Sequence, residues 1–166
     1  MPSYGGSPLE PRRIVAQGSV PDWDDILAGY NSAIDWPSAY YWRELSRHYP
    51  HAKIILTVRN PESWYESFSK TILETMGPES NPLSFGVKII KNVIFNGRPD
   101  DRAQAIAAYE KNTAEVQAAF PADRLLTYEL GEAWERLCKF LNRPIPDTPF
   151  PKSNSTEEFR AHIFKK

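Results

Sequence analysis

One stretch constrains the fold of this 166-residue chain more than any other: Ala52-Lys53-Ile54-Ile55-Leu56-Thr57-Val58, a continuous strand-forming run without alternation of apolar and polar residues. Alternation marks a strand with one wet face, so a run that lacks it reads as a strand buried on both faces. Asn60-Pro61-Glu62 follows and opens a helix, with a capping side chain, a proline where no N–H is needed and an acid in the first turn. Trp64, Phe68 and Ile72 recur every four residues and mark its buried side to about Met76, with Ser63, Ser67 and Lys70 on another face, until Gly77-Pro78 breaks it.

Upstream, Asp22 caps a short helix through Ile26 to Tyr30, and Ala33-Ile34-Asp35 reads as a short extended piece. Trp36-Pro37 ends that piece, and Ser38 caps a helix to about Tyr49, stopped by Pro50. Downstream, Leu83, Val87, Ile90 and Ile94 give a helical stripe ending at Asn96-Gly97. Asp100 or Asp101 then starts a helix to Phe120, with Ile106, Tyr109, Thr113 and Val116 inward. A second strand spans Arg124 to Glu129, a helix runs from about Gly131 to Asn142, and four prolines between Pro144 and Pro151 make an extended tail. Ser155-Thr156-Glu157-Glu158 is a capping box for a last helix with Phe159 and Ile163 on its apolar side. Buried strands alternating with helices predict an α/β fold, a parallel sheet with helices on both faces and ligands at the carboxyl ends of its strands. Residues 1–11, rich in Pro, Gly and Ser, read as a loose lead-in, and residues 12–166 as a single domain.

Composition narrows the function. With 20 Lys+Arg against 21 Asp+Glu the net charge is −1, so no global field holds a nucleic acid or an anionic membrane, and any anion site must be local. The lone Cys138 permits no intramolecular disulfide and no cysteine-based zinc cluster, which fits a reducing compartment and predicts a cytoplasmic location. No apolar run approaches the length of a membrane span. His48 and His51 are separated by Pro50 and have no evident third ligand, so no metal is expected.

Arg59, at the carboxyl end of the first strand, places a permanent cation beside the amino terminus of the next helix, where free amides and the dipole favour an anion. Ser67 lies eight residues on and Ser63 one turn nearer, hydroxyls suited to completing a phosphate's hydrogen bonds. An arginine paired with an acid, beside serines on a solvated face, accounts for the same residues.

Arg59-Asn60-Pro61 with Ser67 resembles the 3′-phosphate-binding motif of sulfotransferases. The string Tyr49-Pro50-His51-Ala52-Lys53-Ile54-Ile55-Leu56-Thr57-Val58-Arg59-Asn60-Pro61-Glu62-Ser63-Trp64-Tyr65 is similar to a microbial branch of that P-loop-fold family. Asp35-Trp36-Pro37, Leu125-Leu126-Thr127-Tyr128-Glu129, Trp134 to Leu141 and Pro149-Phe150-Pro151 match its landmarks in order, so the resemblance covers about Pro21 to Arg160. It implies a three-layer P-loop NTPase-like sheet and transfer of a sulfuryl group from 3′-phosphoadenosine 5′-phosphosulfate to a hydroxyl or amine of a small-molecule acceptor. Asp35 stands where the family has its proton-accepting base, although it also suits a cap for the amides around Trp36-Pro37-Ser38. Lys152 and Asn154 fall where the family returns toward the nucleotide, and equally suit a solvated turn. No G-x-x-x-x-G-K-[ST] loop is present, so the fold is expected to be amino-terminally truncated and transfer impaired. The alternative is a non-catalytic nucleotide-binding or assembly module derived from the fold. A sheet lacking its phosphate-loop strand is further expected to seek a homo-oligomer or a strand-supplying partner.

Overall fold

The computed structural model describes residues 22–35, 38–76, 87, 89–151 and 155–163. The chain divides into two compact units, Met1–Ala52 and Lys53–Lys166.

In the first unit α1 (Trp23–Ile26) is capped as the sequence predicts, the Asp22 carboxylate accepting from the N–H of Asp24 at 3.1 Å and of Asp25 at 3.2 Å. The second helix, α2 (Trp42–His48), begins later than Ser38 implies; Tyr41 stands at its cap without a side-chain bond, and residues 38–41 form a turn. Tyr49 OH donates to Asp24 Oδ1 at 2.9 Å and His48 Nε2 lies 3.0 Å from the same oxygen, fastening α1 to the end of α2. These two bonds, that of His48 foremost, hold the Asp24 carboxyl below its ordinary range. Ala33-Ile34-Asp35 forms no strand: Ile34 is 90 % exposed, and Asp35 has φ +59°, a left-handed conformation that extended pairing does not admit.

In the second unit β1 (Ile54–Val58) pairs in parallel with β2 (Leu125–Glu129), in register from Ile54 against Leu125 to Val58 against Glu129. Between them come α3 (Pro61–Ser69), a 3-10 turn (Glu74–Met76), a π-helical segment (Ile89–Ile94) and α4 (Arg102–Ala119). After β2 come α5 (Trp134–Leu141) and α6 (Thr156–Ile163). The capping box predicted for α6 is formed in both directions: Ser155 N–H donates to Glu158 Oε2 at 2.8 Å, and Glu158 N–H to Ser155 Oγ at 3.2 Å.

Among the described residues the three-layer parallel sheet with helices on both faces is not formed, which corrects the truncated P-loop-type architecture expected above. The described residues are mostly helical, and their sheet has two strands and open edges. β1 is buried in alternation, with Ile54, Leu56 and Val58 half-buried and Ile55 and Thr57 exposed. Its unbroken apolar run therefore reflects strand propensity rather than burial on both faces. Ile54 N–H donates to Arg124 O and Val58 O accepts from Leu130 N–H, so the even-numbered peptide groups serve the pairing and the odd-numbered ones point away from β2. The two described segments that carry a strand-forming run, Ile54–Val58 and Leu125–Glu129, are the two that pair.

The core lies where α3 meets α4. Phe68 and Phe95 pack with Ala105, which has no exposed surface, and half-buried Trp64, Ile72 and Ala108 surround them. Trp64 is stacked on one side against Phe68, centroids 5.2 Å apart and planes 7° off parallel, and on the other against Tyr109, at 4.6 Å and 16°. Helix α3 ends at Ser69 rather than Met76 because Thr71 and Thr75 turn their hydroxyls on Ser67 O and Ile72 O, both at 2.6 Å, and the backbone tightens into turns. Asn96 and Gly97, both at positive φ, close the π-helical segment where the Asn-Gly pair predicts a stop. No helix among the described residues is long and apolar enough to cross a membrane.

Candidate functional site

The parallel pairing brings the carboxyl ends of β1 and β2 side by side, and an open cleft of about 500 Å³ lies there, lined by Val58, Arg59, Asn60, Ser63, Glu129 and Leu130. Arg59 is the first residue past β1, and Ser63 lies in the first turn of α3. Arg59 Nε donates to Ser63 Oγ at 3.1 Å, and Ser63 Oγ in turn donates to Asn60 O at 2.9 Å. The serine thus fixes the near side of the guanidinium, leaving its two terminal nitrogens as the cationic edge. Among the described residues no carboxylate forms an ion pair with them.

The helix terminus itself contributes less than the sequence suggests. Pro61 has no N–H, Asn60 Oδ1 accepts from the N–H of Glu62 at 3.0 Å and of Ser63 at 3.2 Å, and Trp64 N–H donates to Asn60 O at 2.9 Å. The amides are consumed by the cap, so the pocket's attraction for an anion comes from the guanidinium and from the field of α3.

Arg59's main chain is held from α4. Tyr109 OH accepts from Arg59 N–H at 2.9 Å and donates to Arg59 O at 3.1 Å. Helix α4 is tied to α3 by the aromatic stack, by an ion pair between Arg102 and Glu62, and by Tyr65 OH donating to Asp100 O at 3.0 Å.

The opposite wall is the turn after β2. Gly131, at φ +106°, lets the chain reverse so that Glu132 reaches back, its Oε1 accepting from Glu129 N–H at 2.6 Å and from Arg136 Nη1 at 2.6 Å. The Glu129 amide first and Arg136 after it hold the Glu132 carboxyl below its ordinary value of 4.5. A lowered carboxyl adds stability that is fully present above the ordinary value and is lost as pH falls through the lowered one. Glu132→Gln should therefore unfold with a shallower dependence on acid below pH 4.5 than the native chain, measured by circular dichroism across a pH series. Identical acid profiles would show that this bond does not hold the turn.

Of the residues singled out in the sequence, Arg59 and Ser63 come together. Ser67 is half-buried one turn further along α3 and is not among the cleft's walls; its carbonyl accepts from Thr71 Oγ1. Asp35 is exposed in the first unit, its carbonyl accepting from Ala39 N–H at 2.7 Å. Lys152 and Asn154 lie outside the described residues. Sequence reasoning passed over Glu129 and Tyr109. Glu129 was within its reach, as the last residue of the second parallel strand, whereas Tyr109 carries no local sign of its role, since its partner is 50 residues away.

The sulfotransferase domain family matches residues 9–159, and the chain belongs to that family. A curated relative, Ava biosynthesis cluster protein M of Aspergillus versicolor, is 32 % identical over 146 residues, which cover 78 % of this chain and 56 % of that protein. The chain thus spans little more than half the length of that relative.

Proposed function

We propose that this chain is a nucleotide-binding module of the sulfotransferase-domain family, which holds the 3′-phosphate of adenosine 3′,5′-bisphosphate or of 3′-phosphoadenosine 5′-phosphosulfate at Arg59. One observation carries the reading: Arg59 lines the cleft with its Nε fixed by Ser63 and its terminal nitrogens unclaimed by any described carboxylate. Two N–H-bearing nitrogens of a planar cation match two phosphate oxygens. Glu129 on the facing wall is the acceptor such a ligand needs, because a 3′-phosphate sits beside a ribose 2′-hydroxyl that can donate to a carboxylate. The same donor set suits the family's co-substrate, which when bound supplies an activated sulfuryl group. The resemblance adds Ser67, Lys152 and Asn154 to the groups proposed around the phosphate.

The binding reading is favoured over transfer because the layered sheet expected of a sulfotransferase is not what the described residues form. Calorimetric titration should show saturable binding of adenosine 3′,5′-bisphosphate and markedly weaker binding of AMP. Incubation with the phosphosulfate donor and a phenol should release no bisphosphate above the protein-free rate. Equal affinity for the two nucleotides would sink the site. Turnover would overturn the binding reading in favour of transfer, with Asp35 then the group proposed to take the acceptor's proton.

A further inference from the structure

We infer that Tyr109 is a positioning residue of the anion site: one phenol hydroxyl, accepting from Arg59 N–H at 2.9 Å and donating to Arg59 O at 3.1 Å, sets the frame from which the guanidinium reaches the cleft. This rests on the reading of Arg59 as the phosphate-binding cation. The residue just past a strand has lost its ladder partners, and its peptide groups would ordinarily be left to water and free to rotate. Here both are taken by a single side chain, so rotation about Arg59's backbone costs two hydrogen bonds at once.

The phenol is itself immobilised. Its ring stacks on Trp64, which stacks on Phe68, and Phe68 lies 5.1 Å from Phe95, so the hydroxyl's position is set by the core rather than by the loop it serves. A second constraint acts at the far end of the same residue, where Ser63 Oγ accepts from Arg59 Nε. Backbone and side chain are thus fixed by two different helices, α4 and α3. Tyr109 also occupies Arg59 N–H and thereby removes it as a donor to ligand, so an anion in the cleft is recognised by the side chain. A site held in this way is preorganised: less ordering remains to be done when the ligand arrives.

Tyr109→Phe keeps the ring and its stack on Trp64 and deletes both hydrogen bonds. It should weaken adenosine 3′,5′-bisphosphate about tenfold, with tryptophan fluorescence unchanged. In an Arg59→Ala background the same substitution should change the residual affinity by less than about twofold, because its effect runs through Arg59. Equal losses in both backgrounds would assign Tyr109 a general structural role and overturn the inference, as would undiminished affinity in the single variant. Amide hydrogen exchange in the native chain tests the geometry apart from any ligand or variant, and so tells a failure of the Tyr109 bonds from a failure of the phosphate reading on which the inference rests. Arg59 N–H lies outside every helix and strand, so slow exchange there requires its Tyr109 bond, and exchange at the rate of an open peptide would overturn the inference.

Discussion

Replacing Arg59 by alanine should abolish the preference for adenosine 3′,5′-bisphosphate over AMP. The two ligands differ in the 3′-phosphate alone, and the guanidinium is the described cation in the cleft that meets it. Hydrogen bonds to charged groups contribute about 1.5–3 kcal/mol each, so losing even one lowers affinity by about tenfold to a hundredfold. The variant is a usable probe because, apart from the bond from Nε to Ser63, Arg59's structural bonds are made by its main chain. Its N–H and C=O stay on Tyr109, and Asn60 still caps α3. Arg59→Lys should recover only part of the loss, since a point charge cannot reproduce the paired donors or the bond from Nε to Ser63. The measurement is the ratio of dissociation constants for the two nucleotides in each protein, and a ratio that survives in the alanine variant would place the phosphate elsewhere.

Phe68→Ala should be the most damaging single change in the core of the second unit. Phe68 lies between Trp64 and Phe95 and belongs to the buried cluster with Ala105. Cutting it to a methyl leaves a cavity between rings that cannot collapse without unstacking Trp64 from Tyr109. Phenylalanine-to-alanine changes at such positions cost about 3–5 kcal/mol, a large part of what a domain of this size possesses. Urea unfolding should place the variant's midpoint far below that of the native chain, with nucleotide binding lost in parallel. A midpoint within experimental error of the native one would mean that the aromatic stack is not where the second unit's stability resides.

The legible parts of this protein were those decided by neighbours in the chain. Asp22, Asn60, Asp101 and the pair Ser155 and Glu158 cap helices as their spacing requires, since a cap and its amides lie within three residues of each other. The parallel direction of β1 and β2 was legible too, because a long helical connection separates them. The number of strands was not. An apolar run states that a strand is favoured, but whether both its faces are covered depends on elements elsewhere, and here Ile55 remains 40 % exposed. Asp35 shows a second limit: Ala33-Ile34-Asp35 reads as a short extended piece, and its last residue adopts a left-handed φ. At the site, Arg59 and Ser63 were within reach as near neighbours at a strand-to-helix junction. The use of the helix amides by Asn60 was implicit in the same three residues, where the capping side chain and the anion compete for one set of donors. Tyr109 was invisible because a hydroxyl on the inner face of a helix reads as core, and the groups it serves are fixed only when the chain has folded.

The cleft's two walls come from distant parts of the chain. Arg59 and Glu129 are 129 − 59 = 70 residues apart in sequence and share one pocket. The cleft exists only while the strands are paired, and closing a loop of that length is among the slower and entropically costlier steps available to a small domain. A nucleotide bound as proposed, touching both walls, would be a reversible cross-link between the ends of that loop. It would add nothing to the helical core, which is built from contacts between nearer segments, and would act on the long-range closure alone. Bound there, it would select for the paired strands by mass action, and so couple occupancy of the pocket to the persistence of the two-stranded pairing seen among the described residues.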